Sequence, residues 1–363
     1  MKLSIFSILS LPIIIFASCT PDNNGNTATY KDQAFTEHFR QTSGVVAMDG
    51  GASIPLNDGR SLFLYGDSYI NNYDPGTETV PCLFQVRNAG QTYNINDPSQ
   101  QSTLTGTGSP ASYFQLGTDN DYWFWPQHGY QQGDTVYVFL SRIHHTGGPG
   151  GFAFEGVDSN YIAKILYPAL TVVGYSLLPS RNGINFGMSV IKEGNQCYVY
   201  GKKNNGFGND VFVARFQADN IYGAWEFRTA NGWSANATSA VSFHDEFTSS
   251  FSFCKVNNKY AMFTTEFSVG CDQGKIIYSQ VADVPYGPFT NRKEIWILDD
   301  TLQGHYPFFY LVEPHPEFTS NSELLVTYCI NGYGTCVETC NNNRMDPDVY
   351  RLKAIRIPYN ALQ

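Results

Sequence analysis

Val45-Val46-Ala47-Met48-Asp49-Gly50-Gly51-Ala52-Ser53-Ile54-Pro55-Leu56-Asn57-Asp58-Gly59-Arg60-Ser61-Leu62-Phe63-Leu64-Tyr65-Gly66-Asp67 reads as two apolar runs around Asn57-Asp58-Gly59. Asp-Gly between β-prone runs marks a hairpin, because a tight turn needs residues that tolerate positive φ. A hairpin returns to the side it left. Asp49, near the start of the first run, and Asp67, just past the end of the second, therefore fall together, away from the turn. Paired strands lie about 5 Å apart, so two carboxylates at one hairpin mouth can share a site. Taken singly, each is also an ordinary turn residue beside a glycine, Gly50 or Gly66.

Outward from this stretch the pattern recurs. Turn centres fall near Asp58, Gly133, Gly194, Asn257 and Asn321, and each is followed by a β-rich run, such as Val136-Tyr137-Val138-Phe139-Leu140 or Leu324-Leu325-Val326-Thr327-Tyr328. Third and fourth strands follow several of them, as in Val211-Phe212-Val213-Ala214-Arg215 and Trp225-Glu226-Phe227. Five repeats of roughly 60 to 75 residues, each of four strands, predict an all-β, five-bladed β-propeller of antiparallel blades around a central channel. One such repeat cannot bury both faces of its sheet, so the blades must stack radially. A pair of sandwiched sheets is the alternative, and it leaves the regular interval unexplained. Either residues 34–44 or Leu352 to Tyr359 close the ring.

In a propeller the innermost strand leaves the functional face and the second strand returns to it. Residues before the one and after the other collect around a central pocket. Beside Asp49 and Asp67 these are Trp123, Trp125, Gln127, His128, Arg142, His144 and His145 of the second repeat, and Asn185, Ser189 and Lys202 of the third. The fourth supplies His244, Asp245, Glu246 and Glu266, and the fifth Glu313, His315 and Asn331. Acids, aromatics and a few basic groups suit a carbohydrate, whose CH faces pack on aromatic rings while its hydroxyls meet polar groups. Trp123-Phe124-Trp125-Pro126 offers that platform, with one of the two tryptophans expected in the core. Trp125, Gln127, His128, Arg142 and His315 are the expected substrate contacts, and Asp49, Asp67 and Glu246 the expected catalytic acids. Glycoside hydrolysis needs two carboxyl groups, about 5–5.5 Å apart for retention or about 6.5–9.5 Å for inversion. Asp49 with Asp67 suits the shorter spacing, Asp49 with Glu246 across the channel the longer. A glycan-binding protein without catalysis is the competing function.

Composition sets the outer bounds. Of 363 residues 15% are aromatic and 15% charged, with 24 Tyr and 26 Phe. That is the make-up of a folded, β-rich chain. The formal net charge of -10 disfavours a nucleic-acid partner, because phosphate binding needs a basic face. No phosphate loop, dinucleotide fingerprint, Gly-x-Ser-x-Gly or His-Glu-x-x-His occurs, and no cofactor or metal is expected.

Residues 1–18 read as an export signal: Lys2, an apolar run from Ile5 to Phe16, then Ala17-Ser18 before Cys19. Small residues before a cysteine resemble a bacterial lipoprotein signal, which makes Cys19 the lipidated first residue, with a polar tether over 19–33 and one propeller domain over 34–363. The expected location is the bacterial cell envelope, exported and membrane-anchored through the lipid, in the periplasm or on the outer-membrane surface. Export permits disulfides, and the crowding of Cys329, Cys336 and Cys340 predicts a local one. Cys82, Cys197, Cys254 and Cys271 are expected as small buried apolar residues. A zinc cluster of Cys329, Cys336, Cys340 and His305 lacks the usual spacing.

Ile54 to Asp67, Trp123-Phe124-Trp125-Pro126, Gly133-Asp134-Thr135-Val136-Tyr137-Val138-Phe139, Pro285-Tyr286-Gly287-Pro288-Phe289 and His315-Pro316-Glu317 together resemble a group of bacterial five-bladed propellers long labelled as domains of unknown function. That group includes endo-D-arabinofuranases, and its architecture is shared with arabinanases and fructan hydrolases. The resemblance covers roughly residues 40–358. It implies a glycoside hydrolase acting on a furanose-containing, arabinan-like polysaccharide or oligosaccharide, with Asp49 and Asp67 as the catalytic positions. Gln127-His128 departs from the acidic-glycine pair of the group at that place.

Overall fold

The structure, a computed structural model, describes residues 28–116, 122–148, 153–206, 208–246, 250–268, 270–332 and 337–363, and the side chains of all of these except 158–159 and 245–246. The expected export signal over residues 1–18 and Cys19 lie outside the described residues.

Five antiparallel sheets follow one another along the chain. Blade 1 is built from Val45–Pro55, Arg60–Ile70, Ala89–Asn94 and Gln101–Leu104; blade 2 from Tyr122–Gln132, Thr135–His145, Phe154–Leu166 and Thr171–Leu177. Blade 3 runs through Asn185–Glu193, Gln196–Asn204, Asn209–Gln217 and Trp225–Thr229, with Gly232–Ser234 at its edge; blade 4 through Phe251–Val256, Lys259–Thr265, Ile276–Ala282 and Thr290–Ile297. Blade 5 takes Phe308–Ser320, Glu323–Asn331 and Lys353–Pro358, and its outer strand is Tyr30–Lys31 from the other end of the chain.

The inner hairpins turn where the sequence places them. Gly59, Gly133 and Gly194 have φ of 82°, 56° and 59°, and Asn257 and Asn321 have 45° and 51°. These left-handed conformations are tolerated by glycine and asparagine and resisted by most other residues.

Apolar residues cluster in the seams between blades. Ile54, Leu62 and Leu64 of blade 1 pack with Phe124, Val138 and Leu140 of blade 2, and Tyr130 and Phe139 of blade 2 with Phe186 and Phe212 of blade 3. Val211 and Val213 meet Phe251, Phe253 and Met262. Ala261 and Phe263 meet Leu324 and Val326, and Leu325 and Phe318 return to Phe63 and Tyr93 of blade 1. Five seams close the circle, so each of the five blades packs on two neighbours.

Both chain ends share the closure. Lys353–Pro358 pairs with Glu323–Asn331 on one side and with Tyr30–Lys31 on the other. The ring therefore begins at Tyr30, four residues earlier than 34–363 implies. Arg356 pairs with Asp32 at 2.7 Å, both side chains largely buried, and Asp32 also caps the helix Gln33–Glu37. The C-terminal alternative, Leu352 to Tyr359, thus supplies a strand of the closing blade, and the N-terminal one is corrected from residues 34–44 to Tyr30–Lys31.

The expected local disulfide is not the one formed. Cys340 is bonded to Cys82, 258 residues away in sequence, and Cys271 is also disulfide-bonded, while Cys197, Cys254 and Cys329 are free and buried. The Cys82–Cys340 bond ties the loop after Arg60–Ile70 to the segment before Lys353–Pro358. The same two segments pair as a short ribbon, Val80–Pro81 with Arg344–Met345.

Candidate functional site

Asp49 and Asp67 both lie within strands, where the sequence puts them at strand ends. The pairing of these strands slips on either side of Gly50, Met48 facing Ser68 while Gly50 faces Tyr65. The bulge uses Gly50 and Gly51 at φ of 94° and 104°. A bulge re-aims the side chain beside it, here the carboxyl of Asp49, over Gly66. A Cβ on Gly66 would stand 2.4 Å from Asp49 Oδ1 and 3.7 Å from Trp125 Cδ1. Only glycine leaves room for the acid.

The two carboxyls are held differently. Asp49 Oδ2 accepts hydrogen bonds from the hydroxyls of Tyr310, at 2.9 Å, and Tyr350, at 2.8 Å. The backbone amides of Asp67 and of Asp49 itself also donate to this carboxyl. Asp67 has looser company: Trp125 Nε1 at 3.4 Å and Arg87 Nη1 at 3.5 Å from both of its oxygens. Its side chain is 13% exposed. Arg87 is pinned between two rings, 4.8 Å from the centre of Phe84 and 4.2 Å from that of Trp123.

Burial raises both acids. It pushes Asp49 up to about 6, against the pull of Tyr350, Tyr310 and the two amides. It pushes Asp67 up to about 7, helped by the charge of Asp49 and opposed by Arg87 and Trp125. The pair therefore holds one proton close to neutrality, and its losses belong to the pair. Asp49 has the more hydrogen-bond donors and Asp67 is raised further, so the shared proton favours Asp67.

Of the expected tryptophans, Trp123 is buried and Trp125 half-buried, with Phe154 edge-on to Trp125 at 4.8 Å. Gln127 donates to Ser141 Oγ at 2.7 Å and Asn185 Oδ1 at 3.1 Å, and Asn160 donates to the same Asn185 oxygen at 2.7 Å. This amide cluster lies in the seam of blades 2 and 3.

His128 is folded onto the backbone of Gly129, and burial lowers it to about 4. Arg142 stacks on Tyr122 at 4.0 Å. The cation placed beside the acids is Arg87. His315 is 0% exposed, its two nitrogens bonded to Ser53 and Thr327 and its ring stacked on Phe63. This corrects its reading as a substrate contact: it is enclosed in the seam of blades 5 and 1, with both ring nitrogens occupied.

Glu313 is buried and pushed up to about 8 by that burial, so it is neutral at pH 7. Glu246 stands in a short strand, His244–Glu246, that pairs with Asn209–Gln217 of blade 3 rather than leading into blade 4. Its side chain lies outside the described residues. No group of three His, Cys, Asp or Glu able to hold a metal occurs among the described residues.

Arg87, Tyr310 and Tyr350 are the contacts that sequence reasoning missed. Tyr310 could have been found, since it opens the inner strand of blade 5, where pocket residues are expected. It reaches Asp49 because the strand bulges after it, with Leu311 at φ of 51°. Arg87 and Tyr350 sit in connections with no periodic signal; both lie in the segments that the Cys82–Cys340 bond ties together.

The family described as "Domain of unknown function (DUF5005)" matches residues 32–359. Among solved structures the chain is similar to a Bacteroides ovatus protein described provisionally as a hydrolase, with 18% identity, 92% of each chain covered and a TM-score of 0.69. It is also similar to the GH32 β-fructofuranosidase of Bombyx mori in complex with sucrose, with 10% identity, 89% of this chain and 64% of that one covered, and a TM-score of 0.50. At such identities the likeness is one of fold. No curated protein sequence matches the chain.

Proposed function

This chain belongs to the DUF5005 family, and we propose that it is a glycoside hydrolase acting on a furanose-containing, arabinan-like polysaccharide. The observation that carries the reading is the unequal pair Asp49 and Asp67. Hydrolysis of a glycosidic bond needs one carboxylic acid to protonate the leaving oxygen and one carboxylate on the other side of the sugar. Two titratable groups whose surroundings push them apart supply that division of labour. Asp67, raised to about 7, keeps a proton to donate at working pH. Asp49, held by two phenols and two amides, carries the negative charge and acts as nucleophile or as base toward water. Trp125 beside Asp67 gives a sugar face something to pack on. Arg87, 3.5 Å from Asp67, steadies that carboxylate after it has given up its proton.

The furanose preference comes from the sequence resemblance, and likeness of fold to a β-fructofuranosidase is compatible with it. The test is release of reducing ends by the full chain from a panel of furanans and pyranans. Cleavage of an arabinan supports the reading. Binding of glycans with no cleavage across the panel replaces it by a glycan-binding role. We also propose export and lipid anchoring through Cys19. Cys19→Ala should leave the protein unprocessed or free of the membrane fraction, and unchanged processing and retention would refute the anchor.

A further inference from the structure

Within that reading, on which this step rests, we propose that Tyr310 and Tyr350 are positioning residues that fix Asp49 as the charged carboxylate of the pair and leave Oδ1 as its working oxygen. Both phenols donate to the other oxygen, Oδ2, at 2.9 and 2.8 Å. Oδ1 is the atom on the side of Gly66 and Trp125, where the proposed platform lies. Both phenols thus anchor Oδ2, while Oδ1 lies on the side of the proposed platform. The anchors are themselves held. Tyr310 accepts from Asn331 Nδ2 at 3.3 Å and stacks on Phe308 at 4.4 Å, and Tyr350 packs edge-on against Tyr69 at 5.7 Å. A phenol donating to a carboxylate stabilises its charged form, and a charge-assisted bond is roughly twice as strong as a neutral one.

The surroundings of Asp49 leave the tyrosines this role. From blade 1 it faces Asp67, with Arg87 beyond. From blade 5 it faces Tyr310 and Cys329, whose thiol lies against the backbone of Gly50 with Glu313 behind it. Tyr350 comes from the short helical turn Pro347–Tyr350. Burial drives Cys329, Tyr310 and Tyr350 above their usual ranges, so all three stay neutral in the working range. Asp67 brings a second negative charge when it ionises. Only donors can keep Asp49 ionised beside it, and the two phenols are the side chains that supply them.

The test is Tyr310→Phe and Tyr350→Phe in the full chain, each of which removes one hydroxyl and keeps the ring. In carbon-13 NMR of Asp-labelled protein, the carboxyl signal missing from Asp49→Asn belongs to Asp49. Its titration midpoint should rise by about one pH unit in each variant. The acid limb of the kcat/KM profile should move by the same amount, with activity falling about fivefold at pH 6 and hardly at all at pH 8. An Asp49 midpoint that stays put in both folded variants overturns the proposal, as does an activity loss equal at every pH. If no glycan is cleaved, the hydrolase reading fails while the midpoint still decides whether the tyrosines hold the charge. If one variant does not fold, the other carries the test.

Discussion

The seam of blades 2 and 3 and the meeting of blades 5 and 1 both bury side-chain polar groups, and they solve that burial in opposite ways. In the seam of blades 2 and 3, Gln127, Ser141, Asn160 and Asn185 are neutral and bond to one another. Where blades 5 and 1 meet, Asp49 and Asp67 are acids that burial penalises, and the donors are shared unequally between them. The first arrangement has no group poised to gain or lose a proton and serves to join blades. The second retains an unfavourable charge that the protein could have avoided with amides. Strain of this kind persists where function needs it. The difference points to where the proposed chemistry sits in a ring of near-equivalent blades: in the seam whose polar groups are left unbalanced.

Gly66→Ala attacks the charged seam by geometry alone. Its methyl would stand at 2.4 Å from Asp49 Oδ1 and must displace the carboxyl. A displacement near 1 Å can cost about a hundredfold in rate, so turnover should fall by about that factor while the circular dichroism and blade packing persist. Turnover near that of the wild type would mean that the position of Asp49 does not matter.

Asp67→Asn tests the cost of the charge. Burial raises Asp67 in the folded protein, so between about pH 4 and pH 7 the native state binds more protons than the unfolded one. Stability contributed by this group therefore falls as pH rises through that window. The variant should match the wild type near pH 4 and exceed it above pH 7, by about 4 kcal/mol. Urea denaturation at the two pH values reads the difference. A variant less stable than the wild type at pH 8 would contradict the assigned penalty.

Gln127→Ala tests the neutral seam. It removes the amide that bridges Ser141 and Asn185, which should cost about 1–2 kcal/mol in stability and change turnover by only a few-fold. A loss of activity as large as that of Gly66→Ala would erase the distinction between the seams.

Much of the fold was legible because one local signal repeats. The inner-hairpin turns carry Gly or Asn at positive φ, and the β-rich run after each turn is an inner-blade strand. Closure was not legible, since Tyr30–Lys31 spans two residues and has no pattern of its own. Cysteine spacing misled for a related reason: Cys340 is brought to Cys82 by the meeting of blades 5 and 1, and distance in sequence says nothing of that. The acids of blade 1 could be paired from a single hairpin. Of their missed partners only Tyr310 had a place in the repeat, while Arg87 and Tyr350 come from connections without a periodic signal. His315 looked like a pocket residue by its place in the repeat, but the bulge that follows Tyr310 carries the strand into the seam, where the imidazole bonds Ser53 and Thr327.

The central claim is that Asp49 does chemistry and not merely binding. The direct measurement compares wild type and Asp49→Asn for release of reducing ends and for glycan affinity, on a glycan that the wild type cleaves. The account predicts turnover lowered by about a thousandfold or more, with affinity kept within a few-fold, because the lost charge acts in the transition state. Equal cleavage by the two proteins would contradict it.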